Sequence, residues 1–427
     1  MRQEMKRFTE GIAFGESFFV SFSTFLAHML KVEHQEGEDA LNIYASLGDT
    51  LAAYSECFSV PYELLLDSNP HIKKDRLEQG EIVRIPGYET VCTWEELAHF
   101  FPVCKEALRR MKGAAQIVNG SVQLPKRVIS HVVQGQKEYD FSALKQDIEA
   151  LCRCYPFVRT RAIGYSVLGL PLIEIQIGQG PIRVHLNGSF HANEWITSAI
   201  IMTFLNDYLL AVTNSKTLRG HHMLDYYKKV TLSVVPMVNP DGVNLVLHGP
   251  PEQEPHRSKV VRMNGGSVDF SQWKANIRGI DLNNQFPAKW EVERARKIPK
   301  APAPRDFPGF APLTEPEAKA MAALTEESDF DMIVAFHTQG KEIYWGYEGL
   351  EPPCAEETAM EFAKTSGYQA VKYIDSHAGY RDWFIQTWKR RGYTVELGEG
   401  VNPLPMEQFT EIYEDSLGIF LAALYMA

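Results

Sequence analysis

His191 and Glu194 stand three residues apart in His-Ala-Asn-Glu, directly after the run Arg-Val-His-Leu-Asn-Gly at 183–188. At the start of a helix that spacing lets an imidazole nitrogen and a carboxylate oxygen turn toward one ion, and both are ligand types that a catalytic zinc accepts. Such a zinc keeps three protein ligands and one open position. His337 supplies the third candidate. It follows the apolar run Met-Ile-Val-Ala-Phe at 332–336, and catalytic residues of open α/β sheets gather at the carboxyl ends of strands. Glu396 lies in Tyr-Thr-Val-Glu-Leu at 393–397, an apolar setting where burial raises a carboxyl's proton affinity and suits it to base work. Singly, these residues also fit a satisfied core histidine or a helix-capping glutamate. Jointly they predict a hydrolytic centre with one zinc per chain.

The elements that must carry these groups alternate between strand and helix. Leu144, Ile148 and Leu151 fall at helical spacing within 141–154, and the runs 163–167 and 172–177, split by Leu-Gly-Leu-Pro, read as an antiparallel hairpin. Strands follow at 183–186, 230–235, 332–336 and 393–396, with helices from 193 to about 212 and near 406–425. Strands this apolar on both faces suit a central sheet covered by helices on each side, an α/β architecture. The stretch 287–312, rich in proline and charge, reads as a long loop near the cleft that either shapes a substrate groove or is plain surface. A capped helix is expected after it, opening at Thr-Glu-Pro-Glu, 314–317.

Before this region lies a repeat. Its first unit, 43–88, opens on Gly-Asp-Thr at 48–50, has Asn69-Pro70 in its middle and closes on Ile-Val-Arg-Ile-Pro at 82–86. A second unit, 89–127, mirrors Phe58, Val60, Glu63 and Leu65 with Phe101, Val103, Glu106 and Leu108, a period of roughly 40 residues. Each reads as strand, two short helices, strand, with Asp49 or Thr50 capping the first helix. The units resemble the LysM module, which implies a small βααβ fold and a partner glycan containing N-acetylglucosamine. The second unit lacks the Gly-Asp-Thr opening and the Asn-Pro break and is expected to be degenerate. Residues 128–140 read as a linker, and 1–42 as a leader of unassigned role.

From 141 to 427 the chain resembles the zinc carboxypeptidase family. The His-x-x-Glu pair, Asn239-Pro-Asp-Gly242, Gly279-Ile-Asp-Leu-Asn283, His337 and the Glu396 strand come in family order. The resemblance implies a carboxypeptidase-like mixed central sheet with helices on both faces. It also implies zinc on His191, Glu194 and His337, Glu396 activating the attacking water, and Asp281 orienting a ligand histidine. Lys274 stands where the family has an arginine that polarises the scissile carbonyl, with Arg278 as an alternative; a lysine supplies charge without the planar fork. Asn284, beside Asn283, replaces the arginine that grips a terminal carboxylate, which argues against an exopeptidase. The family's phenol near Asp382-Trp383 is not matched in register; Tyr380 is the nearest, and a packing role suits it better.

Bulk properties narrow the partners. A formal charge of -11 with no Lys/Arg cluster excludes a phosphate-coating nucleic-acid binder. The six cysteines contain no CxxC pair, so neither a thiolate zinc site nor a disulfide framework is expected. The apolar stretch 18–30 is too short to span a bilayer, and no small-x-small cleavage site follows it. The expected location is the cytoplasm, or the spore or cell wall. A glycan binder joined to a carboxypeptidase-like domain without the terminal-carboxylate arginine resembles the gamma-D-glutamyl-diamino acid endopeptidases. That branch implies a muropeptide substrate, with Lys274, Arg278, Asn283 and Asn284 facing it. A zinc carboxypeptidase or deacylase of the same fold on another substrate, and a non-catalytic glycan-binding protein, are the rival readings.

Overall fold

The structure, a computed structural model, describes residues 40–73, 76–91, 117–118, 121–122 and 124–427. These divide into two compact units. One ends at Ile129 and takes in Arg153–Phe157; the other comprises Ser130–Cys152 and Val158–Ala427.

In the first unit, β1 (Ala40–Tyr44), α1 (Leu51–Phe58), α2 (Tyr62–Ser68) and β2 (Ile82–Val91) follow in the order read from the sequence, with β1 antiparallel to β2. The Thr50 side chain caps α1 by accepting from Ala53 N at 3.1 Å. Asn69 is buried and ties the end of α2 to β2: its amide donates to Leu65 O and Arg84 O, and its Oδ1 accepts from Arg84 N at 2.7 Å. A two-residue pair, β3 (Ile117–Val118) with β4 (Ser121–Val122), precedes β5 (Leu124–Arg127), which lies antiparallel to β2. The body of the second repeat, 92–116, falls outside the described residues.

The second unit begins with a segment expected to be a linker. It is docked instead. Val133 and Tyr139 are buried, Val132 N and Val133 N both donate to Asn206 Oδ1, and a Cβ at Gly135 would lie 2.2 Å from Thr203 Oγ1. Next come α3 (Phe141–Cys154), the hairpin β6 (Arg159–Tyr165) and β7 (Pro171–Ile177), β8 (Ile182–Gly188) and α4 (Ile196–Thr213). A short pair, β9 (Thr217–Leu218) and β10 (His221–His222), leads through α5 (Met223–Lys229) to β11 (Val230–Val235). The rest is α6 (Pro240–His248), α7 (His256–Met263), α8 (Trp290–Arg296), α9 (Pro316–Ser328), β12 (Met332–Thr338), β13 (Glu342–Tyr344), α10 (Ala355–Ser366), β14 (Gln369–Val371), α11 (Tyr380–Trp388), β15 (Arg391–Leu397) and α12 (Phe409–Tyr425).

Eight strands make one mixed sheet in the order β14-β13-β15-β12-β8-β11-β7-β6, whose centre, β15-β12-β8-β11, is parallel. Strands β8 and β12 are buried along most of their length, as expected of parallel strands covered on both faces. The stretch Ala192–Thr213, which contains α4, is long and apolar enough to cross a membrane, but 89% of its apolar window is buried.

Two local expectations change. The segment 287–312 is not a plain loop: it contains α8 and buries Trp290 and Phe307. The helix expected to be capped at Thr314 starts at Pro316 without a side-chain cap, because the Thr314 hydroxyl turns to Gln285 Oε1 at 2.9 Å and Glu317 is buried. Cys57, Cys152, Cys154 and Cys354 are free thiols.

Candidate metal centre

Strand β8 delivers the first two ligands to the carboxyl edge of the sheet. It ends at Gly188, the chain turns through Ser189 and the buried Phe190, and a single 3-10 turn at Ala192–Glu194 follows His191. That turn packs against the start of α6, where Gly242 leaves room: a Cβ there would sit 2.8 Å from the Ala192 Cβ. Asn239 caps α6 by accepting from Gly242 N, and its amide donates to Phe190 O and Ala275 O. Ala192 N donates to Lys274 O at 3.1 Å. The His191 and Lys274 segments are therefore bound to each other twice. The Asn-Pro-Asp-Gly run serves as their clamp.

Across the sheet, β12 brings His337 to the same point. His191 Nδ1 lies 2.8 Å from Glu194 Oε1, His337 Nδ1 lies 2.9 Å from Glu194 Oε2, and the two Nδ1 atoms are 3.1 Å apart. All three residues are buried, and one ligand atom from each falls within 4.8 Å of the others. The donor set fits a zinc ion. His191 Nε2 donates to Asp281 Oδ1 at 3.2 Å, which fixes the ring with its Nδ1 lone pair turned inward. Two imidazole lone pairs and a carboxylate then converge in a buried space, an arrangement that repels itself until a cation sits among them.

The electrostatics agree. Burial, the largest influence, would raise the proton affinity of Glu194 and Asp281, yet the neighbouring histidines, with Lys274 beside Asp281, hold both far below the ordinary carboxylate range. For His191, burial works downward and is outweighed by Glu194 and Asp281, so its pKa is raised; for His337 burial wins and the pKa falls.

Glu396 on β15 is the register partner of His337. The strand is interior, as expected, but the side chain is partly exposed, opening toward the cleft at the sheet edge. Burial first, and the charge of Glu194 second, push its pKa up to about 8. A cation taking up the Glu194 charge opposes that second push. Lys274 also reaches the centre: Nζ is 3.9 Å from Asp281 Oδ2, and although burial lowers its pKa, Asp281 and Glu194 raise it further, so the ammonium stays charged.

The other candidates are placed differently. Arg278 turns its half-exposed guanidinium to buried Glu315, with Nη1 at 3.5 Å from Oε2. Asn283 Oδ1 accepts from Tyr380 N at 3.2 Å. Asn284 is buried, its amide donating weakly to His377 O and its Oδ1 unpartnered. Tyr380 is fully buried and bonds Thr325 Oγ1 at 2.7 Å, a packing residue as expected.

Three neighbours escaped the sequence reading. Glu342 on β13 faces Glu396 across the ladder, the Tyr344 hydroxyl donates to Glu342 Oε2, and Arg381, buried and bonded to Asp382 Oδ1, lies 5.9 Å from the Tyr344 ring. Cross-strand register brings Glu342 to Glu396, Tyr344 follows two residues along the same strand, and α11 brings Arg381.

Residues 144–417 match the family model described as zinc carboxypeptidase. The chain is 49% identical over 397 residues to gamma-D-glutamyl-L-diamino acid endopeptidase 1 of Lysinibacillus sphaericus, covering 90% of this chain and 100% of that one. Among solved structures it is similar to bovine thrombin-activatable fibrinolysis inhibitor in complex with tick carboxypeptidase inhibitor (TM-score 0.53, 17% identity, 68% of this chain and 97% of that one). It is also similar to carboxypeptidase A of Helicoverpa armigera (TM-score 0.51, 14% identity, 92% and 99%). These two likenesses concern the fold. By the extent of the family match and the full-length likeness to the endopeptidase, the chain belongs to the zinc carboxypeptidase family and is a zinc metallopeptidase.

Proposed function

We propose that this enzyme hydrolyses the bond between gamma-D-glutamate and a diamino acid in peptidoglycan stem peptides. The observation that carries the reading is the 49% identity over the whole length of a gamma-D-glutamyl-L-diamino acid endopeptidase, an alignment of 397 residues that extends beyond the second unit into the first. Asn284 supports it: a buried amide stands where release of a free C-terminal residue calls for a cation.

In this reading His191, Glu194 and His337 hold the zinc, which supplies Lewis-acid polarisation of a carbonyl and a water acidified to near neutrality. Glu396, on the strand beside His337, takes a proton from the attacking water and returns it to the leaving amine. Lys274, held charged by Asp281 and Glu194, faces the negative charge that develops on the carbonyl oxygen. Asp281 holds the His191 ring through Nε2 and accepts from Asn283 N as well, so one carboxylate orders a ligand and a cleft residue together. Asn283 and Asn284 border the substrate. Residues 43–88 act as a LysM-like module for an N-acetylglucosamine-containing glycan, 89–127 as its degenerate copy, and 141–427 as the catalytic domain. The site of action is the cytoplasm, or the spore or cell wall.

Incubation with defined tri-, tetra- and pentapeptide stems, with products identified by mass, tests the assignment. The expected fragments part between gamma-D-glutamate and the diamino residue. Loss of the C-terminal residue alone would make the enzyme a carboxypeptidase.

A further inference from the structure

A cavity of about 390 Å³ opens at the end of the sheet opposite the metal. Arg183 is the second residue of β8 and Thr231 the second of β11, whereas His191 follows the other end of β8. Seven strand residues separate the two ends by about 20 Å, so the cavity lies apart from the catalytic cleft.

Its walls are built. The turn after β7 presses on the start of β11: a Cβ at Gly178 would lie 2.2 Å from Val230 O, and one at Gly180 would lie 1.9 Å from the Lys229 carbonyl carbon. Thr231 Oγ1 donates to Gly180 O at 2.7 Å. Ser233 lines the floor, donating to buried Glu174 at 2.7 Å and meeting His185 Nδ1 at 3.0 Å; beside it Phe330 stacks on the His185 ring at 4.7 Å.

Two arginines line this one cavity, and their bonding is unusual for an acidic chain. Arg159 gives Nη2 to Gly178 O at 2.9 Å and Arg183 gives Nη1 to Ser328 O at 2.7 Å. Among the described residues neither guanidinium pairs with a carboxylate. Asp331 is close by, but its Oδ2 accepts from the Arg183 main-chain NH. Arg161, two residues along β6 from Arg159, shows the contrast, since Glu174 and Glu327 both bind it at 2.6 Å. A carbonyl occupies one of the five N–H donors of a guanidinium, and the remaining fork matches a carboxylate or phosphate in bidentate geometry. Two like charges beside one cavity also repel, and an anion between them relieves that repulsion.

We infer that this cavity is a second binding site, for a small organic anion with two oxyanion groups held by Arg159 and Arg183. Its volume lies in the range of small-molecule sites. The ligand's oxyanions can be carboxylates or phosphates, and the probes separate the two.

Calorimetric titration of the full-length protein with glutarate, inorganic phosphate and acetate at constant ionic strength tests the inference. Glutarate is expected to bind saturably at one site per chain, more tightly than acetate. Arg159→Gln and Arg183→Gln, both at exposed positions, are each expected to leave the melting curve unaltered and to weaken binding at least tenfold, while His191→Ala leaves binding unchanged. Phosphate binding with the same arginine dependence and no glutarate binding assigns the site to phosphate-bearing ligands. Absence of saturable binding by either anion, binding indifferent to both arginine variants, or binding lost in His191→Ala overturns the proposal.

Discussion

His337 and Glu396 are partners in the parallel ladder between β12 and β15, so a ligand histidine and a carboxyl share one face of the sheet at its carboxyl edge. Glu342 continues the row on β13. Main-chain hydrogen bonds thereby fix where Glu396 leaves the sheet relative to His337.

Glu396→Gln keeps the shape of the side chain but cannot take up a proton. Single-turnover hydrolysis of a gamma-glutamyl-diaminopimelate peptide is expected to fall by about 10²–10⁴-fold, with zinc content and melting temperature retained. Glu399 is the control. It is exposed beyond the strand end, its main chain bonded to Gln408, so Glu399→Gln is expected to keep most activity. Near-normal turnover in Glu396→Gln with zinc still bound would remove Glu396 as the base.

The ligand set predicts a graded response of metal content. Elemental analysis is expected to find roughly one zinc per chain in the parent, and His191→Ala and His337→Ala, which each leave two ligands, are expected to lose most of it. Asp281→Asn keeps all three ligands but weakens the hold on His191 Nε2. Its zinc affinity is expected to drop by about 10–100-fold, a loss visible by competition with a chelator. Stoichiometric zinc in both histidine variants contradicts the assignment.

The sequence shows the chemistry where it is local. The 191–194 pair, the strand ending in His337 and the boundaries of α3 and β11 follow from spacing and apolar runs, which short-range sterics and burial control. It does not show what register and docking decide. Residues 128–140 carry no period and read as a linker, yet Gly135 packs without clearance on α4. The segment 287–312 reads as loop because its prolines mask α8; in the fold Lys274 N and Ala275 N donate to Pro304 O and Asp281 N to Phe307 O, so it underlies the site. Arg278 and Lys274 are equivalent by charge and separate only when Glu315 is seen to take the arginine.

That separation can be measured. Lys274→Met removes the cation beside Asp281 and is expected to lower kcat/KM by about 10²–10³-fold, the usual cost of one oxyanion donor. Arg278→Gln is expected to leave kcat/KM within about threefold, because its half-exposed guanidinium is already turned to Glu315. The reverse order of effects would make Arg278 the group that meets the oxyanion.

Glu317 on α9 provides a prediction about pH and stability that does not involve the metal. It is buried, accepts from Val167 N at 3.1 Å and Asn276 Nδ2 at 3.3 Å, and lies near the carboxyls of Asp241 and Glu315. Burial first, and those negative neighbours after it, raise its pKa from 4.5 to about 7. Between these values the folded protein keeps a proton that the unfolded chain has released, so stability falls as pH rises through the window and levels off above about 7. The span corresponds to about 3 kcal/mol at most. A glutamine at 317 is neutral at every pH: its carbonyl still accepts from Val167, and Asn276 Nδ2, which loses its 3.3 Å acceptor there, keeps Glu315 Oε2 at 2.8 Å. Glu317→Gln is therefore expected to melt several degrees above the parent at pH 8, with the gap closing toward pH 4.5. Melting curves across that range decide it, and a gap that widens on acidification would show that Glu317 is ionised in the folded protein.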